Sequence, residues 1–479
     1  MLKLKRIFSG FCAILIAFSL TACTTSNAEK ESEVTTTEVT VTNSSNGNNL
    51  IKETEDENVS GNTSKSERKV YTEGFDENTR ALNLSYRKSA YILPTVRNIV
   101  QYNTEPSVPL EDVDISMSYS VIEYTEEEKN IYKIILEAVK NRENSIDIPR
   151  TTTVTMERLR ELMVDMYFAE PEAYIIDMES LNFKVEVENS KYVLFGVSYD
   201  YAYSLEDIER WDSNIDILVE KLKSYIPEET SDYDLYLFLH DFIVYNVTYN
   251  EIESAHDDDI VGALIEGYGT CQSFAKAYTY LCKEFGLYAT NINGLSGDVP
   301  HMWNAVYYCG DWFLVDVGMD NVDNNNVKDW APHGFFGLSQ KYLESAAHTF
   351  YDENDTYYLA YPECTSDAYY FYEKQGYGYK LSNPNDSESV AGELLYIIGE
   401  AFKTNPEMNY VEFTTNTESI KALRELYFYR DSTFIDNFGA NLEAYLHNIG
   451  LREGMYVTNV AFVGQDWNNS VIIYIQFAY

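Results

Sequence analysis

Apolar residues recur at helical spacing from Thr125 onward, where Ile131, Ile134, Ile135 and Val139 share one face. Leu159, Leu162, Met163 and Met166 repeat the pattern inside Thr155–Tyr167, and a third helix is predicted from about Ser204 to Tyr225, stopped by Pro227. Between these helices, alternation in Phe183–Val187 and Tyr192–Tyr199 predicts a pair of strands. Asp232–Asn250 reads as helix followed by strand or turn. Beyond a Tyr-rich stretch, Tyr357–Tyr379, that predicts strand, helices are expected near Gly392–Lys403, Thr417–Tyr429 and Thr433–His447. Alternating runs Tyr456–Val463 and Val471–Tyr479 close the chain as a hairpin.

The pattern breaks down near the N-terminus. Lys3, Lys5 and Arg6 precede an apolar run from Ile7 to about Leu20, too short for a spanning helix and matching a secretory signal over residues 1–22. The run ends Leu20-Thr21-Ala22-Cys23, which resembles a bacterial lipobox; that resemblance implies a diacylglycerol on the Cys23 sulfur. The expected location is the extracytoplasmic face of a bacterial cell membrane, held by lipid and not spanning it. Residues 24–66 contain no aromatic residue and are rich in Thr, Ser, Asn and Glu, so they cannot bury enough apolar surface to fold. Residues 23–68 therefore read as a tether with a reach of roughly 35 Å. Residues 69–119 carry no firm pattern. The remainder divides into an α+β region at 120–230, a chemistry-bearing domain at 231–345 and an α+β region at 346–479.

Charge changes the picture of partners. The formal net charge is −42, which repels nucleic acid, anionic lipid and phosphate-bearing polymers. Such a surface attracts lysine-rich or amine-bearing partners, although acidity also serves solubility alone. The 42 tyrosines against 23 phenylalanines favour sheet-rich, partly exposed surfaces. The six cysteines, Cys12, Cys23, Cys271, Cys282, Cys309 and Cys364, show no metal-ligand spacing and no disulfide framework, so neither metal nor cofactor is expected.

The chemistry concentrates at Gly267-Tyr-Gly-Thr-Cys271. Two glycines permit a tight loop, and a helix with Phe274, Tyr278, Leu281, Cys282 and Phe285 on its apolar stripe starts directly behind and ends at Gly286. Cys271 falls in the first turn, where the helix dipole favours thiolate and backbone N–H groups can hold an oxyanion. Cys282 lies about 16 Å further along the same helix, too far to pair with it and better placed in the core.

Thirty residues on, His301 precedes the strand Trp303–Tyr307, and Trp312–Val317 forms a second strand across a four-residue loop, Tyr308–Asp311. In that register Asp316 stands opposite Trp303, and His301 becomes its diagonal neighbour on the same face, about 7–8 Å away at Cα. The carboxylate would then orient the imidazole. Alternation turns Asn304, the rival orienter, to the other face.

These segments resemble the transglutaminase-like superfamily, with its Gly-x-Gly-x-Cys helix, His-x-Trp-Asn strand and Trp-x-x-x-Asp strand. Tyr245-Asn-Val-Thr-Tyr249, the preceding His240-Asp241 and Phe335-Phe-Gly-Leu-Ser339 extend the resemblance over about residues 231–345. It implies a papain-like α+β core with Cys271 as nucleophile, His301 as base and Asp316 as orienter. It implies acyl transfer through a thioester, on a protein or peptide substrate, as peptidase, deamidase or cross-linker. Where the family often follows the aspartate with Thr-Trp, this chain has Val317-Gly318-Met319, and Tyr249 is the candidate for the second oxyanion donor. A binding or scaffold lipoprotein with an idle triad is the alternative.

Other signals point to structure. Asp320-Asn-Val-Asp323-Asn-Asn-Asn326 lacks the glycine and closing glutamate of a calcium loop and reads as a polar surface loop. Asp257-Asp258-Asp259 reads as a solvated turn. His256, His333, His348 and His447 lack spaced ligand partners and are expected to be structural or exposed. Tyr369–Tyr372 reads as a packed strand in preference to a sugar-stacking surface.

Overall fold

The computed structural model describes residues 74–96, 116–188, 191–249, 255–321, 331–404, 406, 408–428, 432–465 and 467–479. The signal segment, the tether and Cys23 lie outside them. Among the described residues no helix is long and apolar enough to cross a membrane.

Helix α1 (Glu126–Lys140) opens on a reciprocal cap between Thr125 and Glu128 and buries Ile131, Tyr132, Ile135 and Val139. Strand β1 (Ser145–Asp147) follows, then α2 (Met156–Ala169), capped by Thr155. Strands β2 (Asn182–Glu188) and β3 (Lys191–Ser198) form the expected hairpin, with β1 on the other edge of β3. Helix α3 (Leu205–Tyr225) is capped by Ser204 and ends before Pro227.

Helix α4 (Asp232–Asn246) is buried on nearly every side, which erases the amphipathic signature of a surface helix. It packs against α5 (Cys271–Glu284), which lies across β4 (Ala289–Ser296) and β5 (Val299–Tyr308). Strand β6 (Asp311–Val315), the short helix α6 (Val317–Asp320), β7 (Phe336–Leu338), α7 (Gln340–Ser345) and β8 (His348–Phe350) complete this part. The sheet is antiparallel, in the order β7-β6-β5-β4-β8. Its central hairpin keeps the anticipated register, Tyr307 opposite Trp312, but the turn is tighter than expected. Tyr308 pairs with Asp311, and Cys309 and Gly310 carry φ of 52° and 85°, the positive pair that a two-residue hairpin of the right twist demands.

One hydrophobic core runs from Leu82 to Tyr372, so residues before Ser231 pack continuously with those after it. A second, smaller core runs from Leu381 to Ile475. It lies among α8 (Ser387–Thr404), β9 (Tyr410–Thr414), α9 (Ser432–Asn448), β10 (Tyr456–Gln465) and β11 (Ser470–Ala478), with sheet order β9-β11-β10. The Tyr-rich stretch is not the predicted strand. It contains a short helix at Phe371–Gln375, and its ladder contact is a single bridge at Gly378, while Tyr370 and Tyr372 are buried. Aromatic rings there fill the seam between the cores, and packing decides the backbone path where strand propensity does not.

The seam also holds a buried polar network. His240 Nδ1 and Nε2 lie 3.0 Å and 3.1 Å from Asp241 and Asp320; His333 Nε2 and Nδ1 lie 2.8 Å and 2.6 Å from Asp241 and Glu412. Tyr372 donates to Glu412 at 3.0 Å. Asp320, expected on a surface loop, is instead fully buried, as is His333. Burial alone favours a neutral His240 ring, but Asp241 and Asp320 outweigh it and raise its pKa to about 9.

A folded-state pKa above the unfolded value of about 6.5 means that stability is present in full below that pH and lost as pH rises through about 9. The melting temperature of the wild type should therefore drop more between pH 7 and pH 10 than that of His240→Gln. Parallel curves in calorimetry would rule this out.

Candidate active site

Gly269 sets the approach to the nucleophile's helix. A Cβ there would lie 2.3 Å from the Ser273 Cβ, so no other residue lets the loop pass this close to the first turn. Helices α1 to α4 each begin on a Ser or Thr side chain that accepts a backbone N–H. Thr270, at the same position of α5, makes no such bond. The first-turn N–H groups beside Cys271 are thus not spent on this cap.

The helix is buried all round, beyond its predicted stripe: Gln272, Ser273, Lys276 and Thr279 are buried as well as Phe274, Tyr278, Leu281 and Cys282. Cys282 is a core residue, as expected, and burial pushes its thiol far above the ordinary range. Lys276 sits with its ammonium 4.4 Å from the Tyr167 ring centre, and burial lowers its pKa to about 8. Asn304 turns toward α5 and donates to the Ala275 carbonyl, Thr279 and Asn291, each at 3.0 Å. It braces helix against sheet and does not orient the imidazole.

Cys271, His301 and Asp316 meet below the surface, 2%, 2% and 1% exposed. His301 Nε2 lies 2.7 Å from Asp316 Oδ2. The Cys271 sulfur is near enough to act on the ring's charge, and Nδ1 is buried with no nitrogen or oxygen partner among the described residues. Burial disfavours the imidazolium, but Asp316 and Cys271 outweigh it and hold the imidazole well above its usual pKa. Burial likewise opposes the Asp316 charge, and His301 and His348 overcome it, keeping the carboxyl well below its usual range. The same carboxylate caps α6, accepting the Met319 N–H at 3.0 Å on Oδ1.

Tyr249 stacks on Phe274, ring centres 6.0 Å apart, and its N–H donates to Asn321. Two buried side-chain donors escaped the sequence reading: Gln272 Nε2, next to Cys271, and Trp303 Nε1, two residues beyond His301, both without partners among the described residues. His348 was missed as well. It lies 3.0 Å from Asp316. Its strand is three residues long and 32 positions from the aspartate, so no spacing in the chain announces the contact. Asp259, read as part of a solvated turn, is buried and accepts from Val261 and Gly262 backbone N–H groups, and its other oxygen lies 3.0 Å from His256 Nδ1.

Residues 220–317 match the Transglutaminase-like superfamily. This part of the chain is a transglutaminase-like domain. Its fold is α+β with a papain-like core, and the superfamily consists usually of cysteine-dependent enzymes. Among curated proteins no match is found. A solved structure described as a TGase shares 12% identity at a TM-score of 0.22, over 37% of this chain and 51% of that one. A Cytophaga hutchinsonii structure, provisionally named a cysteine protease, shares 14% at a TM-score of 0.20, over 31% of this chain and 70% of that one. The matched part of the first is thus about half its length.

Two buried groups in and beside the transglutaminase-like domain have the composition of a metal site, His240–Asp241–His333 and His301–Asp316–His348. Donors about 2.0–2.1 Å from a tetrahedral zinc would stand about 3.3 Å apart. The pairs here lie 2.7–3.0 Å apart, the spacing of hydrogen-bond partners.

Gly318 is the second residue after Asp316. A Cβ on it would stand 3.8 Å from the Cys271 Cα, 3.9 Å from His301 Cε1 and 3.5 Å from Asp316 Oδ1. These are ordinary contacts, so Gly318→Ala should fold and label at Cys271 like the wild type. Gly318→Leu should keep the fold yet slow iodoacetamide labelling of Cys271 at least ~10-fold, because its extra carbons extend toward the thiol. Equal labelling rates, read by mass spectrometry, would refute the placement.

Proposed function

We propose that the chain is a surface-anchored cysteine acyl-transfer enzyme acting on carboxamide or peptide groups through a thioester. The observation that carries this reading is the buried imidazole, its Nε2 on the Asp316 carboxylate and the Cys271 sulfur close enough to act on its charge. Such a ring can take the thiol proton, and the thiolate so formed is the nucleophile. The thiolate attacks the carbonyl carbon, first-turn N–H groups of α5 take the oxyanion, and Tyr249 or the Gln272 amide supplies a further donor. His301 then protonates the departing amine or ammonia, leaving the acyl group on sulfur. Water, activated by the same ring, releases the acid; a lysine amine in its place gives a cross-link.

With 2% of its surface exposed, Cys271 is reached more readily by a slender glutamine side chain than by a backbone amide in a folded segment. Hydrolysis is the default outcome, because water competes at every turnover. The acidic surface favours lysine-rich protein partners, and these supply the competing amine.

A chain truncated before Lys69, incubated with casein and a labelled primary amine, should release ammonia and incorporate less amine than ammonia released. Cys271→Ala should abolish both, a loss of at least ~10³-fold. Absence of any Cys271-dependent change, together with no labelling of Cys271 by iodoacetamide at pH 7, would favour a binding or scaffold lipoprotein instead.

The anchor is proposed at Cys23. In a bacterial host the full chain should partition into the detergent phase of a Triton X-114 separation, and Cys23→Ser should move it to the aqueous phase. Equal partitioning would dismiss the lipid.

A further inference from the structure

Asp316 is approached by a second imidazole. His348 Nε2 lies 3.0 Å from Oδ2, the oxygen that His301 Nε2 meets at 2.7 Å. The His348 side chain has no exposed surface. Its far nitrogen, Nδ1, lies 3.1 Å from the Ala346 carbonyl, so the ring is pinned at both ends. The rings of His301 and Trp303 pack on it, at 5.4 Å and 5.3 Å between centres.

The backbone is shaped to deliver this contact. Ala347 follows the end of α7 with φ at 63°, a left-handed conformation that non-glycine residues seldom adopt. Its carbonyl accepts the Gly297 N–H at 2.8 Å, in the turn that joins β4 to the strand carrying His301. The chain then enters β8 with His348 opposite Ser296. The turn, the strand register and the ring's two polar contacts all serve one position beside the carboxylate.

We propose that His348 is a positioning residue of the active site. It holds the Asp316 carboxylate in line with His301 Nε2 and draws off part of the negative charge that steadies the His301 imidazolium. This rests on the reading of Cys271, His301 and Asp316 as nucleophile, base and orienter. Two donors on one oxygen divide its charge between them. Without His348, the whole carboxylate charge would act on His301, and the imidazolium would persist to higher pH.

The test is the pH profile of Cys271 alkylation by iodoacetate on the full chain. The reagent's carboxylate is drawn to the imidazolium, so its rate falls when His301 loses its proton. The wild type should show a bell whose alkaline edge reports His301, and His301→Ala should lack that edge. His348→Ala and the volume-filling His348→Phe should move the edge up by about half to one pH unit. His348→Gln, whose amide can donate to the same oxygen, should stay within about 0.3 unit of the wild type. Melting temperatures separate folding losses from these shifts. An edge unmoved in Ala and Phe variants that still melt cooperatively would reduce His348 to packing. A wild type that alkylates like His301→Ala would instead bring down the triad reading itself.

Discussion

A carboxylate sealed from solvent has to be matched by donors, and Asp316 is matched from three directions: His301, His348 and the Met319 N–H. Each donor arrives on a different element. His301 comes on β5, His348 on β8 at the far edge of the sheet, and Met319 on the helix that Asp316 itself caps. Removing one partner of a buried charge typically costs several kcal/mol, so the hairpin register, the edge strand and the short helix are each constrained by one side chain. The reactive sulfur then depends on this arrangement at second hand, through the imidazole that it holds.

The helix that begins at Cys271 is fastened as firmly. Asn304 and Asn291 bond it to the sheet, and Asn291 reaches on to the Phe168 and Ala169 carbonyls of α2. At its other end Lys283 meets the buried Glu170 at 2.6 Å, and Glu170 also accepts from Ser118 and Tyr132. The N-terminal region is therefore part of the scaffold that places Cys271. The helix start is treated in the opposite way: its N-cap side chain makes no capping bond. Rigid body and unspent terminus together are what a preorganised oxyanion site requires.

The second core joins the first through histidines and acids as well as through aromatic rings. His333 bridges Asp241 to Glu412 of β9, and His240 bridges Asp241 to Asp320, one turn beyond Asp316. The C-terminal region is thus linked, by buried hydrogen bonds, to the segment that carries the orienting carboxylate. Burial raises Asp320 to about 6 against the pull of His240. The seam consequently holds its protons in common, and its charge state is a property of the network.

Local signals in the chain determined much of this protein. Periodicity placed the helices and the closing hairpin, because those patterns reflect neighbours only a few positions apart. The residues around Cys271, His301 and Asp316 carried the resemblance to the transglutaminase-like superfamily, and the Tyr307–Trp312 register followed from strand alternation across a short turn. Tertiary structure decided the rest. Asp320 looked like a surface acid because its histidine partner, His240, stands 80 positions away, and the tyrosines of 357–379 looked like strand because packing between two cores leaves no periodic trace. His348 looked idle for the same reason. A hydrogen bond spanning 32 residues and a sheet edge is written in the fold, and only there does the second imidazole meet the carboxylate.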